Sequence, residues 1–122
     1  MLSDKKLKAF VPTTNPKLAK AFYEGTLGLT LLSEDSYALE FDANGTLLRI
    51  AIVPELTPQS FTILGWNVSD IHKVIQFLNK KGVEFNKYEF LEQDDAGVWT
   101  SPGGSKVAWF MDPDGNTLSL TE

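Results

Sequence analysis

The sequence predicts an α+β protein made of two βαβββ modules in tandem. The main observation is an internal repeat, because the pattern of residues 11–22 returns 55 residues later in residues 66–77. Each copy has an extended apolar segment, a helix cap, an amphipathic helix and then a break containing glycine. A second observation is the Asn44-Gly45 dipeptide between two alternating segments, which is typical of a β-hairpin. We therefore expect a mixed sheet with helices on its outside.

The first module is predicted to begin with a strand over residues 7–13. Asn15 then caps a helix, because its side chain can accept a hydrogen bond from an unpaired amide, and Pro16 suits the first helical position. A glycine at position 25 or 28 ends this helix, and the next strand covers residues 29–32. The inward stripe of the helix is predicted as Leu18, Ala21 and Phe22.

The hairpin of the first module predicts a register. Its strands cover residues 37–42 and 47–52, and a two-residue turn at Asn44-Gly45 makes the numbers of opposed residues sum to 89. Glu40 then faces Arg49 on one side of the sheet, while the other side is apolar.

The second module is predicted to begin with a strand over residues 62–68, with Trp66 on its core face. Asp70 caps a helix that ends at Gly82 and buries Ile71, Val74, Ile75 and Leu78. Further strands are predicted over the following ranges: 83–90, 97–100, 106–111 and 116–120. A turn at residues 112–115 joins the last two.

The length of the chain fits one domain. With 122 residues, of which 43% are hydrophobic, the sequence can build a substantial core. We predict a single domain over residues 1–122, with a first module at about 5–54 and a second at about 60–122. Residues 53–60, with two prolines and little periodicity, are predicted to link them.

Composition excludes several classes of partner. The chain has 11 basic and 16 acidic residues, a net charge of −5, and no basic patch, so we expect no nucleic-acid binding. It has no cysteine, which excludes disulfides and thiolate chemistry. No segment approaches the roughly 18 apolar residues of a membrane span, and the N-terminus has no apolar signal region. We expect a cytoplasmic protein without a membrane partner.

Three motifs on this repeated pattern resemble the vicinal-oxygen-chelate superfamily, also known as the glyoxalase, bleomycin-resistance and extradiol-dioxygenase fold. They are the helix end Phe22-Tyr23-Glu24-Gly25-Thr26-Leu27-Gly28-Leu29, the repeated strand-to-cap stretches, and the turn Asp112-Pro113-Asp114-Gly115-Asn116. The resemblance covers nearly the whole chain. It implies that the sheets of the two modules curl around a cleft, with helices outside, and that the protein forms a homodimer.

The resemblance also implies where a metal would be held. Enzymes of the superfamily usually bind a divalent ion through His, Glu or Gln at four strand positions, which correspond here to Lys8, Arg49, Ile63 and Ser119. Lysine and arginine are cations at neutral pH, isoleucine has no donor atom, and one serine hydroxyl is a poor ligand. We therefore expect no metal and no cofactor, which removes the agent of lyase, dioxygenase and thiol-transfer chemistry.

A cleft without a metal can still hold an organic ligand. Strand alternation points Lys8, Phe10 and Arg49 into it, where the two cations could bind a carboxylate or phosphate. In the alternative reading, Glu40 already neutralises Arg49 and Lys8 extends into water. The predicted ligand-binding residues are Lys8, Phe10, Glu40, Arg49, Trp99 and Trp109, although sequence leaves open which face each of the last two occupies. His72, the only histidine, is predicted to lie on the surface.

Three functions remain open. The first is a metal-independent small-molecule-binding protein that holds an aromatic or anionic ligand. The second is a glyoxalase-like lyase or related enzyme with an unrecognised site, such as an acid-base pair of Glu40 and Lys8. The third is a structural or interaction module that has lost its site. The sequence favours the first and leaves any enzymatic activity undecided.

Overall fold

The computed structural model describes all residues, 1–122, as two compact units, Met1–Thr57 and Pro58–Glu122. Each unit contains one predicted module, so the α+β class and the tandem βαβββ order are confirmed. Each module forms its own open, four-stranded mixed sheet. No helix combines the length and the apolar character needed to span a bilayer.

The first unit follows the predicted order of elements. They are β1 (Lys8–Thr13), α1 (Pro16–Lys20), a π-helix (Ala21–Thr26), β2 (Thr30–Glu34), β3 (Ala38–Ala43) and β4 (Thr46–Ile52). The sheet order is β1-β4-β3-β2, in which β1 runs parallel to β4 and the other neighbours are antiparallel. Glu40 pairs with Arg49 and Phe41 with Leu48, so the predicted hairpin register is confirmed.

The turn of this hairpin owes its shape to two residues. Asn44 has φ 50° and Gly45 has φ 92°, the left-handed pair that a two-residue turn between twisted strands requires. The Asp42 carboxylate also accepts a hydrogen bond from the Gly45 amide at 2.8 Å.

The helix of the first unit turns a different face inward from the one predicted. Ala19 and Tyr23 are buried, while Leu18 is exposed and Phe22 is half-buried. The Leu27 amide donates to the carbonyl of Phe22, five residues back, and this wider turn follows directly on α1. The predicted stripe was wrong because it assumed regular α-helical spacing and ranked Leu18 above Tyr23, whose ring packs against Phe41.

Asn15 caps this helix as predicted, and its side-chain oxygen accepts a hydrogen bond from the Leu18 amide at 3.1 Å. We expect Asn15→Ala to lower the free energy of unfolding by about 1 kcal/mol, because the amide loses its partner. Asn79→Ala, on the exposed surface of the second helix, is the matched control and should change stability by less than about 0.5 kcal/mol. Urea unfolding followed by circular dichroism measures both; equal effects of the two variants would refute the capping role.

The second unit has the same architecture. Its elements are β5 (Thr62–Asn67), α2 (Ile71–Lys80), β6 (Trp99–Thr100), β7 (Lys106–Met111) and β8 (Thr117–Thr121), with sheet order β5-β8-β7-β6. Strand β5 runs parallel to β8, and the remaining pairs are antiparallel. The core of this unit consists of Ile71, Ile75, Leu78, Ala108, Phe110, Leu118 and Leu120. Trp66 lies opposite Leu120 but is only partly buried.

The predicted strand over residues 83–90 was wrong. In this segment Phe85 forms a single bridge with Phe110, and the rest is an ordered loop. The side chain of Gln93 supplies the hydrogen bonds that a neighbouring strand would have given. Its oxygen accepts from the Tyr88 amide at 2.7 Å, and its nitrogen donates to the Asn86 carbonyl at 2.9 Å.

Candidate functional site

In the first unit, four polar and aromatic side chains lie together on the sheet face opposite the helix. The residues that alternate with them along the strands are buried on the helix side; they are Val11, Leu39, Phe41, Leu48 and Ile50. Because side chains alternate between the two faces of a strand, the other face carries Lys8, Phe10, Glu40 and Arg49. Arg49 lies beside Phe10 in the parallel pair and beside Glu40 in the antiparallel pair. We call these four residues the charged face.

Glu40 is the centre of the charged face. Its Oε2 atom accepts a hydrogen bond from Arg49 Nη1 at 2.8 Å and lies 3.3 Å from Lys8 Nζ. The hydrogen bond from Arg49, together with the nearby charge of Lys8, lowers the pKa of the Glu40 carboxyl below its ordinary value, against the opposing effect of desolvation. Glu40 is therefore ionised at neutral pH.

The two cations of the charged face share one carboxylate, that of Glu40. The Asp35 carboxylate also interacts electrostatically with Arg49. Arg49 uses only Nη1 in its bond to Glu40, so other guanidinium donors can reach a ligand. The ring of Phe10 is 61% exposed and lies 5.8 Å from Lys8 Nζ, which adds an apolar surface beside the charges.

In the second unit, four aromatic side chains form a continuous cluster. The Trp99 and Trp109 ring centroids are 6.2 Å apart, Tyr88 lies edge-on to Trp109 at 5.6 Å, and Phe90 lies 5.3 Å from Tyr88. Trp109 Nε1 donates a hydrogen bond to Thr62 Oγ1 at 3.0 Å, which fixes the orientation of its indole. We call Tyr88, Phe90, Trp99 and Trp109 the aromatic cluster.

The six residues predicted to bind a ligand thus fall into two groups. Lys8, Phe10, Glu40 and Arg49 come together in the first unit, whereas Trp99 and Trp109 contact each other in the second. The predicted pairing of Glu40 with Arg49 is confirmed, and Lys8 reaches the same carboxylate. The alternative reading is correct that Glu40 pairs with Arg49, whereas Lys8, which that reading extended into water, forms an ion pair with the same carboxylate.

Sequence reasoning missed the contribution of Tyr88 and Thr62. Tyr88 lay inside the wrongly predicted strand, so its direction could not be inferred from alternation. Thr62 reaches Trp109 because the pairing of β5 with β8 shifts register between Thr62 and Leu64. One signal was available in the sequence, since an isolated glycine within a strand, here Gly65, often marks a bulge or a close approach.

The side chains present do not suit a divalent metal. Lys8 and Arg49 are cations in ion pairs with Glu40, Ile63 has no donor atom, and Ser119 offers one hydroxyl. Nowhere in residues 1–122 are three His, Cys, Asp or Glu side chains grouped so as to hold an ion. We therefore derive no reaction step through a metal.

His72 has an acidic partner that its predicted surface position did not reveal. Its Nε2 lies 2.7 Å from Asp94 Oδ2, which ties the first turn of α2 to the loop before β6. Burial raises the pKa of the Asp94 carboxyl, but the His72 contact and the amides of Val98 and Ala96 outweigh burial and leave it lowered. The loop also borders a cavity of about 370 Å³ lined by Glu92, Gln93, Asp94, Val98, Trp99 and Thr100.

Solved structures share this fold over the whole chain. A glyoxalase family protein from Enterococcus faecalis is 27% identical, with 100% of each chain covered and a TM-score of 0.78. A member of the superfamily from Sphaerobacter thermophilus is 22% identical over 100% of this chain and 99% of the other, with a TM-score of 0.76. A lactoylglutathione lyase from Agrobacterium tumefaciens is 12% identical, with 100% of this chain and 96% of the other chain covered and a TM-score of 0.77. The last two likenesses show the fold alone.

A family model adds direct sequence evidence. The model of the Glyoxalase/Bleomycin resistance protein/Dioxygenase superfamily matches residues 7–120, which include every strand except the last residue of β8. No curated protein matches the sequence significantly. The match spans both units and agrees with the tandem βαβββ architecture. The chain therefore belongs to the Glyoxalase/Bleomycin resistance protein/Dioxygenase superfamily.

Proposed function

We propose that this protein binds a small organic anion without a metal, and that the charged face of the first unit holds the anionic group. The observation that supports the proposal most is the convergence of Lys8 and Arg49 on one oxygen of Glu40, at 3.3 and 2.8 Å. An incoming carboxylate, sulfonate or phosphate can share the remaining donors of both cations. The ring of Phe10 offers an apolar contact for the body of the same ligand.

The enzymatic alternative has less support. A general base is most effective when its pKa lies near the working pH, and the pKa of Glu40 is lowered by Arg49 and Lys8. The pair of Glu40 and Lys8 is therefore poorly tuned for proton abstraction at neutral pH. The Agrobacterium tumefaciens protein is named a lactoylglutathione lyase, and at 12% identity only the fold is shared with it.

Calorimetric titration with benzenesulfonate tests the proposal, because this probe combines one aromatic ring with a permanent negative charge. We expect binding that Lys8→Gln and Arg49→Gln each weaken about fivefold, as expected for the loss of one nearby charge in largely aqueous surroundings. Lys20→Gln is the matched control, since Lys20 lies in the same unit and pairs with Glu34 at 2.8 Å. Its affinity should stay within about twofold of the unmodified protein.

Chelation provides the second arm of this experiment. Dialysis against EDTA should leave the affinity for benzenesulfonate unchanged. A loss of binding on chelation, or one equivalent of zinc, nickel or iron in protein purified without chelator, would overturn metal independence. Absence of any benzenesulfonate binding would instead favour a structural or interaction module.

We also propose that the chain acts as a homodimer, on the resemblance drawn from its motifs. Light scattering coupled to gel filtration tests this, and a mass of 13.5 kDa, that of one chain, would refute it.

A further inference from the structure

Asn44 is followed by a glycine whose backbone nitrogen is accessible. Both residues are exposed at the tip of the hairpin of β3 and β4, and a Cβ atom at Gly45 would meet nothing within 4 Å. Of the six asparagines, at positions 15, 44, 67, 79, 86 and 116, only Asn44 precedes a glycine. Because glycine has no side chain that hinders its nitrogen, the Gly45 amide can approach the Asn44 side chain more easily than the amide of another residue could.

An asparagine side chain can react with the next backbone amide in the chain. After the Gly45 amide loses its proton, its nitrogen attacks Asn44 Cγ, a C–N bond forms, and the side-chain nitrogen leaves as ammonia. The product is a five-membered succinimide ring. Water then opens the ring at either carbonyl and gives aspartate or isoaspartate, in which the main chain runs through the former side chain. The sequence of steps needs water alone as a co-reactant.

The Asp42 carboxylate opposes this reaction in the folded hairpin. Its Oδ1 accepts a hydrogen bond at 2.8 Å from the Gly45 amide, the group that must lose its proton before the attack. A negative charge so close to this nitrogen disfavours the deprotonated, negatively charged amide. The nitrogen must also leave this hydrogen bond before it can turn towards Asn44 Cγ. The structure therefore gives Asp42 two ways to slow ring closure.

We propose that Asn44 is a site of non-enzymatic deamidation, and that Asp42 sets the rate through its hydrogen bond to the Gly45 amide. The modification adds a negative charge to the hairpin whose strands carry Glu40 and Arg49. Its isoaspartate form also lengthens the two-residue turn by one backbone atom. The inference does not depend on the anion-binding proposal, because it concerns the chemistry of the turn itself.

Peptide mapping by mass spectrometry tests the proposal on protein incubated at physiological temperature and mildly alkaline pH. We expect a mass gain of one dalton at Asn44 before any other asparagine, and labelling of the same peptide by an isoaspartate-specific methyltransferase. Asp42→Ala should speed this gain about fivefold, as expected for the removal of one nearby charge in largely aqueous surroundings. Asp42→Asn, which keeps the shape of the side chain without its charge, should change the rate in the same direction.

Asp35→Ala is the matched control for the loss of a turn carboxylate. Asp35 lies before the other end of β3, and its carboxylate accepts hydrogen bonds from the Tyr37 and Ala38 amides at 2.7 and 3.0 Å. The substitution removes the same kind of contact without touching the Gly45 amide. The rate at Asn44 should therefore stay within about twofold of that in the unmodified protein.

Circular dichroism verifies that each variant is folded before its rate is compared. Faster modification in both Asp42 variants, with little change in Asp35→Ala, supports the proposal. Equal acceleration in Asp35→Ala would show that general loosening of the hairpin sets the rate, and would overturn it. An unchanged or slower rate in the Asp42 variants, earlier modification of another asparagine, or no modification at Asn44 would overturn it as well.

Discussion

Replacing Phe110 with alanine is expected to destabilise the protein by about 3–5 kcal/mol, the largest stability change that we predict. Phe110 is 0% exposed on β7, an interior strand of its sheet, and its ring centroid lies 5.3 Å from that of Phe85. Its backbone also forms the bridge with Phe85. The substitution therefore opens a cavity in the core and removes the anchor of the loop that carries Tyr88.

Urea unfolding followed by tryptophan fluorescence is well suited to this variant. All three tryptophans, at positions 66, 99 and 109, lie in the second unit, so the signal reports on the unit that contains the substitution. Phe77→Ala is the matched control, because Phe77 is 57% exposed on α2, where its ring centroid lies 5.2 Å from Lys81 Nζ. Its cost should stay below about 1 kcal/mol. Similar losses at both positions would show that the core around Phe110 is not packed as described.

Features that depend on neighbouring residues could be predicted from the sequence. The register of the first hairpin follows from Asn44 and Gly45, because their left-handed conformations fix which residues of β3 and β4 are opposed. The pairing of Glu40 with Arg49 follows from the register alone. The cap at Asp70 is local in the same way, since its side chain bonds to the Lys73 amide three residues later.

Features that depend on residues distant in the sequence could not be predicted from it. Alternating apolar residues suggested a strand over 83–90. In the structure, the Gln93 side chain forms hydrogen bonds with the Tyr88 amide and the Asn86 carbonyl, which a strand would have paired with a neighbouring strand. The approach of Lys8 to Glu40 requires the parallel pairing of β1 with β4, which joins segments about 40 residues apart. The candidate site was thus predicted as residue types on strands, and the contacts among its residues within each unit came only from the structure.

Replacing Glu40 with glutamine is expected to raise the affinity for benzenesulfonate by about tenfold, the largest effect on binding that we predict for the charged face. Glu40 competes directly with any anionic ligand, because its Oε2 contacts both Arg49 and Lys8. Glutamine keeps the size of the side chain while it removes the negative charge. Calorimetric titration measures the gain, and Glu34→Gln, which removes an acid that pairs with Lys20 in the same unit, is the control expected to change little.

The dependence of this affinity on pH identifies Glu40 as the competing group. The hydrogen bond from Arg49 and the charge of Lys8 hold the pKa of Glu40 below its ordinary value of 4.5. Its contribution to stability is therefore present above pH 4.5 and is lost as the pH falls through the lowered value. Over the same acidic range the affinity of the unmodified protein for benzenesulfonate should rise, because the sulfonate keeps its charge while Glu40 is protonated. The Glu40→Gln variant should show a flat profile there, and parallel profiles for the two proteins would show that Glu40 does not compete with the ligand.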